Sequence, residues 1–267
     1  MLSRNQRPKI DEYDDYLFIV LHFPVFDRAV GRLNAGELDF FVGQDFLVTI
    51  PNQPLQPIEY LFERVRAKEE LREQLFSKGS GYLLYRIVDD AFDYCFPMLR
   101  KIGNKLDALE DDIFEGRSEE VVRDISNVKQ EIINFRKVIR PQRTTLRDLE
   151  HAKHSFLTRE GADLEVYFDD VGDSHERIWD TLENYKEVIE ALEETNESVI
   201  NHRVNDVLRV LTSISVIVLP LTLLASIWGM NVGVPGEHDL TAFWIVVGSM
   251  LAVLLGMVYY FRRRGWL

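Results

Sequence analysis

Asn231 closes the tripeptide Gly229-Met230-Asn231, which stands between two uncharged runs, residues 210–228 and 240–261. A side-chain amide carbonyl is a neutral acceptor that can hydrogen-bond the water shell of a hydrated cation. A ring of carboxylates would hold a small divalent ion too firmly to release it. Such an ion prefers six oxygens in tight octahedral geometry and sheds its water reluctantly. Gly229 lets the backbone turn where a helix ends, and a plain helix C-cap would use the same Gly and Asn. Glu237 and Asp239 add negative charge to the connection, either to concentrate cations or as ordinary polar loop residues.

The run before the tripeptide carries a second pattern. Asn205, Leu208, Thr212, Ser215, Leu219, Thr222 and Ser226 alternate steps of three and four, which is one face of a helix. One helix cannot enclose a path, so a pore would need several copies around an axis. Helix–helix packing inside a bilayer uses the same small and hydroxyl residues. Apart from Thr241 and its aromatics, the second run has Ser249 as its polar side chain.

These residues need two membrane-crossing helices to position them. At about 1.5 Å per residue, each uncharged run can cross a hydrocarbon core of roughly 30 Å. The short connection makes them a hairpin with both ends on one side. Arg262, Arg263 and Arg264 directly follow the second run, and Arg203 and Arg209 flank the first. Arg excess marks the cytoplasmic side, which puts the 229–239 connection outside. Trp228, Trp244, Tyr259, Tyr260 and Trp266 fall at the expected interfaces.

The remainder is of opposite character. Residues 207–267 hold four Arg against two acids, a net +2, so residues 1–206 carry −15 of the total −13. That charge argues against nucleic acid, whose phosphates demand a basic face, and suits attraction of cations or a plain solvated surface. Cys95 is the only cysteine; it excludes an intrachain disulfide and reads as a small buried hydrophobe. The apolar residues 17–26 follow Asp11, Glu12, Asp14 and Asp15, not the basic n-region of a signal peptide, which places the acidic part in the cytosol. His151 and His154 are spaced to share one helix face, but His151, His154, His175 and His202 lack the paired Cys of a zinc set. With no phosphate-binding Gly loop and no catalytic constellation, the chain reads as neither an enzyme nor an ATP-driven pump, and no organic cofactor is expected.

Residues 16–23, 37–42 and 46–50 read as strands, the last two joined by a hairpin turn at Gly43-Gln44-Asp45. Helices are expected over 58–76, over 82–115 with a bend at Pro97, and up to about 152 with a kink at Pro141. From about 174 a helical pattern continues without Gly or Pro to Pro220 and on into the first membrane run. Ile178, Leu182, Tyr185, Ile189, Leu192, Asn196, Val199 and Arg203 form its apolar seam. Such a seam serves either an intrachain helical bundle or a stalk that meets copies of itself.

Residues 207–231, VLRVLTSISVIVLPLTLLASIWGMN, resemble the CorA family of divalent metal-ion transporters, whose signature is Gly-Met-Asn at the end of the first membrane helix. The Arg-rich Trp-Leu ending is also similar to that family. The resemblance implies a homo-oligomer, a pentamer, in the inner (plasma) membrane with both termini cytoplasmic. It would conduct Mg²⁺, with Co²⁺ and Ni²⁺, down the electrochemical gradient. Gly229, Met230 and Asn231 would form the ion entrance. Leu208 and Leu211 would fall in an apolar constriction, Asn205 would ring the cytosolic mouth, and Thr212, Ser215, Leu219, Thr222 and Ser226 would line the path. Residues 167–171 resemble the family segment carrying a regulatory aspartate, which maps onto Asp170, with Asp27 as its partner by position. Cytosolic Mg²⁺ between such acids would hold copies together, and its loss would let the pore open.

The fold expected is an α+β cytosolic domain with a small sheet and long helices over residues 1–173. A stalk helix over 174–228 continues it into the membrane. The outer connection 229–239, a second membrane helix over 240–261 and a basic cytosolic tail over 262–267 follow. Residues 7–18 resemble an interior segment of the family's soluble domain, which normally has several strands before it. The sheet is therefore expected to be truncated, with an exposed edge. Two other readings stand beside this one: a zinc transporter of the ZntB branch, and a non-transporting, membrane-anchored coiled-coil scaffold.

Overall fold

In the computed structural model, residues 6–27, 31–115, 118–151, 164–230, 233 and 240–266 are described. They divide into two units, Met1–Glu194 and Thr195–Leu267.

The first unit holds an antiparallel meander in the order β1 (Lys9–Glu12), β2 (Leu17–Asp27), β3 (Arg32–Val42), β4 (Leu47–Pro51). β2 is buried on both faces from Leu17 to Pro24. Leu17, Ile19 and Leu21 pair across to Val42, Phe40 and Leu38, and all six are fully buried. The expected turn joins β3 to β4, with the Gly43 amide donating to the Phe46 carbonyl at 3.0 Å. A Cβ on Gly43 would lie 2.2 Å from the Phe46 ring, so any side chain there would push that exposed ring aside. β2 and β3 run longer than their sequence suggests. Pro24 and Gly36 look like strand breakers, but each sits in register with a partner, at Ala35 and Phe23. β1 is an unexpected strand; its Lys-Ile-Asp-Glu has little β character, and pairing to β2 sets its conformation.

Three expected helices are each divided in two, by proline or by a local break. α1 (Gln56–Ala67) opens with Pro57 in its first turn, and extended Lys68 separates it from α2 (Glu69–Phe76). α3 (Ser80–Asp93) and α4 (Cys95–Glu115) part at Tyr94. Pro97 cannot donate to the Asp93 carbonyl, so the break falls just before it, not at Pro97 itself. For the same reason α5 (Ser118–Ile139) and α6 (Gln142–His151) part at Pro141. α7 (Leu164–Trp228) begins ten residues before the expected start, because Gly172 does not interrupt it.

Ile178, Leu182, Ile189 and Leu192 are buried, so this length of the seam packs within the chain. His175 of α7 bonds the Ile139 carbonyl at 2.9 Å, Arg136 pairs with Glu183, and Lys129 pairs with Glu193 at 2.5 Å. A Cβ on Gly103 of α4 would come within 2.7 Å of the Tyr185 hydroxyl, so the glycine lets the two helices approach. Asn196 is also buried, Val199 is half-buried, and residues 201–210 are exposed.

Beyond the start of β1, a side chain continues the ladder. The His22 amide donates to Gln142 Oε1 at 3.1 Å, and Gln142 Nε2 donates to the His22 carbonyl at 2.6 Å and to the Val138 carbonyl at 3.0 Å. Gln142 is fully buried.

Candidate ion-conducting site

In the second unit, α7 and α8 (Leu240–Arg263) are both long and apolar enough to cross a membrane, and their apolar stretches are largely uncovered. On α7 the covered positions are Ser213, Ile217, Pro220, Leu221, Leu224 and Trp228. On α8 they are Ala242, Val246, Met250, Val253, Leu254, Met257, Val258 and Phe261. Both sets recur at steps of three and four, as facing stripes of paired helices do.

All eight residues expected to line a path, Asn205, Leu208, Leu211, Thr212, Ser215, Leu219, Thr222 and Ser226, are exposed. At about 100° per residue their stripe lies roughly opposite the α8-facing stripe. The hairpin therefore uses one side of α7 and leaves the hydroxyl side open. Ser215 donates its hydroxyl to the Leu211 carbonyl at 2.9 Å, and Thr222 donates to the Val218 carbonyl at 2.8 Å. With the proton turned back into the helix, each oxygen presents its lone pairs outward. The water shell of a cation points protons outward, so these oxygens are the matching acceptors.

α7 ends with the Gly229 amide donating to the Ala225 carbonyl at 2.9 Å and the Met230 amide to the Ile227 carbonyl at 3.4 Å. A Cβ on Gly229 would lie 3.1 Å from the Ala225 oxygen, so close approach gives the glycine its place here. Asn231, Glu237 and Asp239 lie outside the described residues, as do His154 and the side chain of His151.

Asp170 and Asp27 belong to the first unit. Asp170 is exposed on α7, and Asp27 is half-buried at the end of β2, where its Oδ2 accepts from Asn34 Nδ2 at 3.3 Å. Along α7, Phe168 meets Tyr85, His175 meets Phe92 and Tyr185 meets Gly103. Asp27 pairs with Arg32, and Gly31 and Arg32 border a cleft with Lys105, Leu109 and Asp112, farther along α4 than Gly103. The fifteen residues from Asp170 to Tyr185 alone span about 22 Å. Within one chain the two carboxylates cannot share an ion; only two copies could bring them together. Among the described residues no group of three or more His, Cys, Asp or Glu is arranged to hold a metal.

Sequence reasoning missed the acids of α3, one of which, Asp89, acts on Tyr85 together with Asp170. Burial, and then Asp89, pushes the Tyr85 phenol up to about 12, with Asp170 adding to the same effect. Burial likewise raises Asp89 and Asp90; Asp93 raises both further, while Arg86 pulls both down. Arg86 ion-pairs with Asp89 at 3.0 Å and with Asp90. The signal in the sequence was Asp89, Asp90 and Asp93 along one apolar helix, too common a pattern to single out.

The CorA-like Mg2+ transporter protein family matches residues 1–263. The Thermotoga maritima cobalt/magnesium transport protein CorA is 28% identical over all of this chain and 75% of its own length. The Bacillus subtilis putative metal ion transporter YfjQ is 28% identical over 98% of this chain and 79% of its own. The complete structure of the CorA magnesium transporter from Methanocaldococcus jannaschii superposes with a TM-score of 0.86 at 24% identity, over 98% of this chain and 80% of that one. The zinc transport protein ZntB of Yersinia pseudotuberculosis is 19% identical over all of this chain and 79% of its own length. An acidic α+β unit, a membrane-length hairpin and a family match over nearly the whole sequence agree: the chain belongs to the CorA-like Mg²⁺ transporter family, whose members are ion transporters and not enzymes.

Proposed function

We propose that this chain conducts Mg²⁺, and with it Co²⁺ and Ni²⁺, through a pore made by copies of α7 around an axis, five by resemblance to the family. The observation that carries the proposal is the hydroxyl stripe of α7, which is exposed and faces away from α8. A lone hairpin in lipid has no use for polar oxygens on its open side; a ring of hairpins turns them toward water. Leu208 and Leu211, with more than half their surface exposed in the single chain, form the apolar constriction that gates by dewetting. Asn231 stands at the outer mouth and hydrogen-bonds the ion's water shell. The membrane potential drives the flux, about 4.6 kcal/mol for a divalent ion crossing 100 mV. The Arg residues flanking the spans favour both ends being cytoplasmic, and resemblance to the family supports the plasma (inner) membrane.

Cytosolic Mg²⁺ regulates the pore by bridging Asp170 of one copy to an acid of the next, Asp27 being the partner proposed. Each residue offers half a site: Asp170 is exposed and Asp27 half-buried. Charge supports the bridge, since copies carrying −15 on residues 1–206 repel unless cations intervene.

Relatives named for zinc are less similar than those named for magnesium and cobalt, 19% against 28% identical, so magnesium is the preferred cargo. Uptake into liposomes holding the purified chain, with Mg²⁺, Co²⁺, Ni²⁺ and Zn²⁺ compared, tests the proposal. Mg²⁺ uptake is expected. Uptake of Zn²⁺ alone would move the chain to the zinc reading, and no flux of any ion from assembled protein would leave a scaffold.

A further inference from the structure

The last turn of α8 is closed by backbone hydrogen bonds. The Trp266 amide donates to the Phe261 carbonyl at 3.0 Å and the Gly265 amide to the Arg262 carbonyl at 3.1 Å. Those two bonds, with Gly265 at φ 69°, are a Schellman reversal. Its usual apolar contact is present as well: the Trp266 ring lies 5.7 Å from Phe261. Phe261 is 8% exposed and Trp266 38%. The reversal satisfies carbonyls that would otherwise be free at a helix end, and it holds the chain there instead of letting it fray.

Three guanidinium groups sit on this turn. Arg262, Arg263 and Arg264 are exposed, and Arg264 lies 5.6 Å from the Tyr260 ring. Among the described residues no carboxylate ion-pairs with any of them. They follow directly on a run with no charge, in a chain whose net charge is −13. A patch of fixed cations, rimmed by Tyr259, Tyr260 and Trp266 at the mouth of a membrane-length helix, is complementary to an anion at the depth of lipid headgroups. Arg suits phosphate because its planar fork donates two parallel hydrogen bonds.

We propose that this turn is a docking surface for anionic phospholipid, with the Arg262–Arg264 guanidiniums on headgroup phosphates and Trp266 packed at the acyl boundary. The inference rests on the membrane-spanning reading of α8 but not on transport. An anionic leaflet gathers lipids around clustered basic residues, and high salt disperses them.

The test uses the full chain in nanodiscs of phosphatidylcholine with a minor fraction of phosphatidylglycerol. Bromine is placed on the acyl chains of one lipid or the other, and quenching of Trp266 is taken as the difference between the unmodified chain and Trp266→Phe, which keeps an aromatic ring on Phe261. Brominated phosphatidylglycerol is expected to quench Trp266 about twofold more than brominated phosphatidylcholine at equal fraction. The preference should vanish in 1 M salt, where screening acts within about 3 Å. It should also vanish when Arg262, Arg263 and Arg264 are all changed to Gln. Because that variant could insert in the wrong orientation, the salt titration on the unmodified chain decides independently. Equal quenching by the two lipids would overturn the proposal and point to the guanidiniums facing protein. A preference that survives high salt and the Gln variant would overturn it too. Absence of quenching by either lipid would instead remove the membrane span on which it rests.

Discussion

Gln142 stands beside His22 as a strand residue would: its side-chain amide accepts from the His22 N–H and donates to the His22 carbonyl. β1 begins at Lys9, paired to Val20, so these two groups of β2 have no partner from that strand. The amide also reaches the Val138 carbonyl, so one residue ties the broken junction of α5 and α6 to the sheet. Each buried polar group left unpaired costs about 1–3 kcal/mol. Gln142→Ala is therefore expected to destabilise the first unit by about 2–4 kcal/mol. The check is thermal unfolding of the detergent-purified chain, and an unchanged melting temperature would show the contact to be incidental.

Asn231→Ala should reduce Mg²⁺ uptake to background while folding and assembly persist. Its only expected loss is hydrogen bonding to the water shell at the outer mouth. Liposome flux alongside size-exclusion elution of the same preparation makes the comparison. Ordinary flux from an intact assembly would count against the entrance.

Cysteines placed singly at Thr212, Ser215, Thr222 or Ser226 should react with small aqueous thiol reagents in the open state, and cysteines at Ile217 or Leu224 should not. The first four lie on the open stripe of α7, and the other two are covered. Labelling followed by mass spectrometry reads the difference; equal rates for both sets would leave the stripe without a role in permeation.

Asp170→Lys should make transport less sensitive to cytosolic Mg²⁺, since a tethered ammonium replaces part of a bridging ion's charge. The variant should also stay resistant to protease when Mg²⁺ is withdrawn, because cleavage follows how often the domain opens. A Mg²⁺-dependent cleavage pattern identical to that of the unmodified chain would take Asp170 out of the sensor.

His175 gives the first unit an acid sensitivity. Burial lowers its affinity for a proton below the ordinary 6.5, against a smaller opposing effect of its bond to the Ile139 carbonyl; Arg143 lowers it and Glu176 raises it. Above 6.5 neither the folded nor the unfolded chain is protonated there, and stability is full. As pH falls from 6.5 toward the lowered folded value, the unfolded chain takes up the proton first and stability declines. His22 acts in the same direction, being lowered mainly by burial while Glu37 raises it. Melting temperatures between pH 7.5 and about 5 should fall, and fall less for His175→Gln, which keeps a donor for Ile139 but does not titrate. Parallel curves would assign the loss to other groups.

The membrane segments were the most legible part of the sequence, because an uncharged run of that length has few other uses. The aromatic and β-branched run from Tyr16 to Phe23 and the Gly43 turn were equally plain. β1 was not, since its residues take a strand conformation only through β2. The breaks at Tyr94 and Arg140 were visible as Pro97 and Pro141, but each falls just before its proline, where the lost donor is felt. Periodicity alone could not divide the α7 seam between its own chain and other copies. That needed Ile178 to Leu192 to be seen buried and residues 201–210 to be seen exposed. The hydroxyl stripe was readable as a face, yet its position opposite α8 was not, because pattern says nothing about which neighbour a helix chooses.

Cys95 is fully buried and its thiol is pushed well above its ordinary range by burial. Thiolate is the reacting form, and this side chain offers neither the form nor the access. The chain is in that sense redox-silent. Oxidants have no handle by which to lock copies together, and reductants have nothing to undo. Any assembly it makes is without disulfides from its own cysteine, and a cysteine introduced anywhere on its surface reports against an almost blank background.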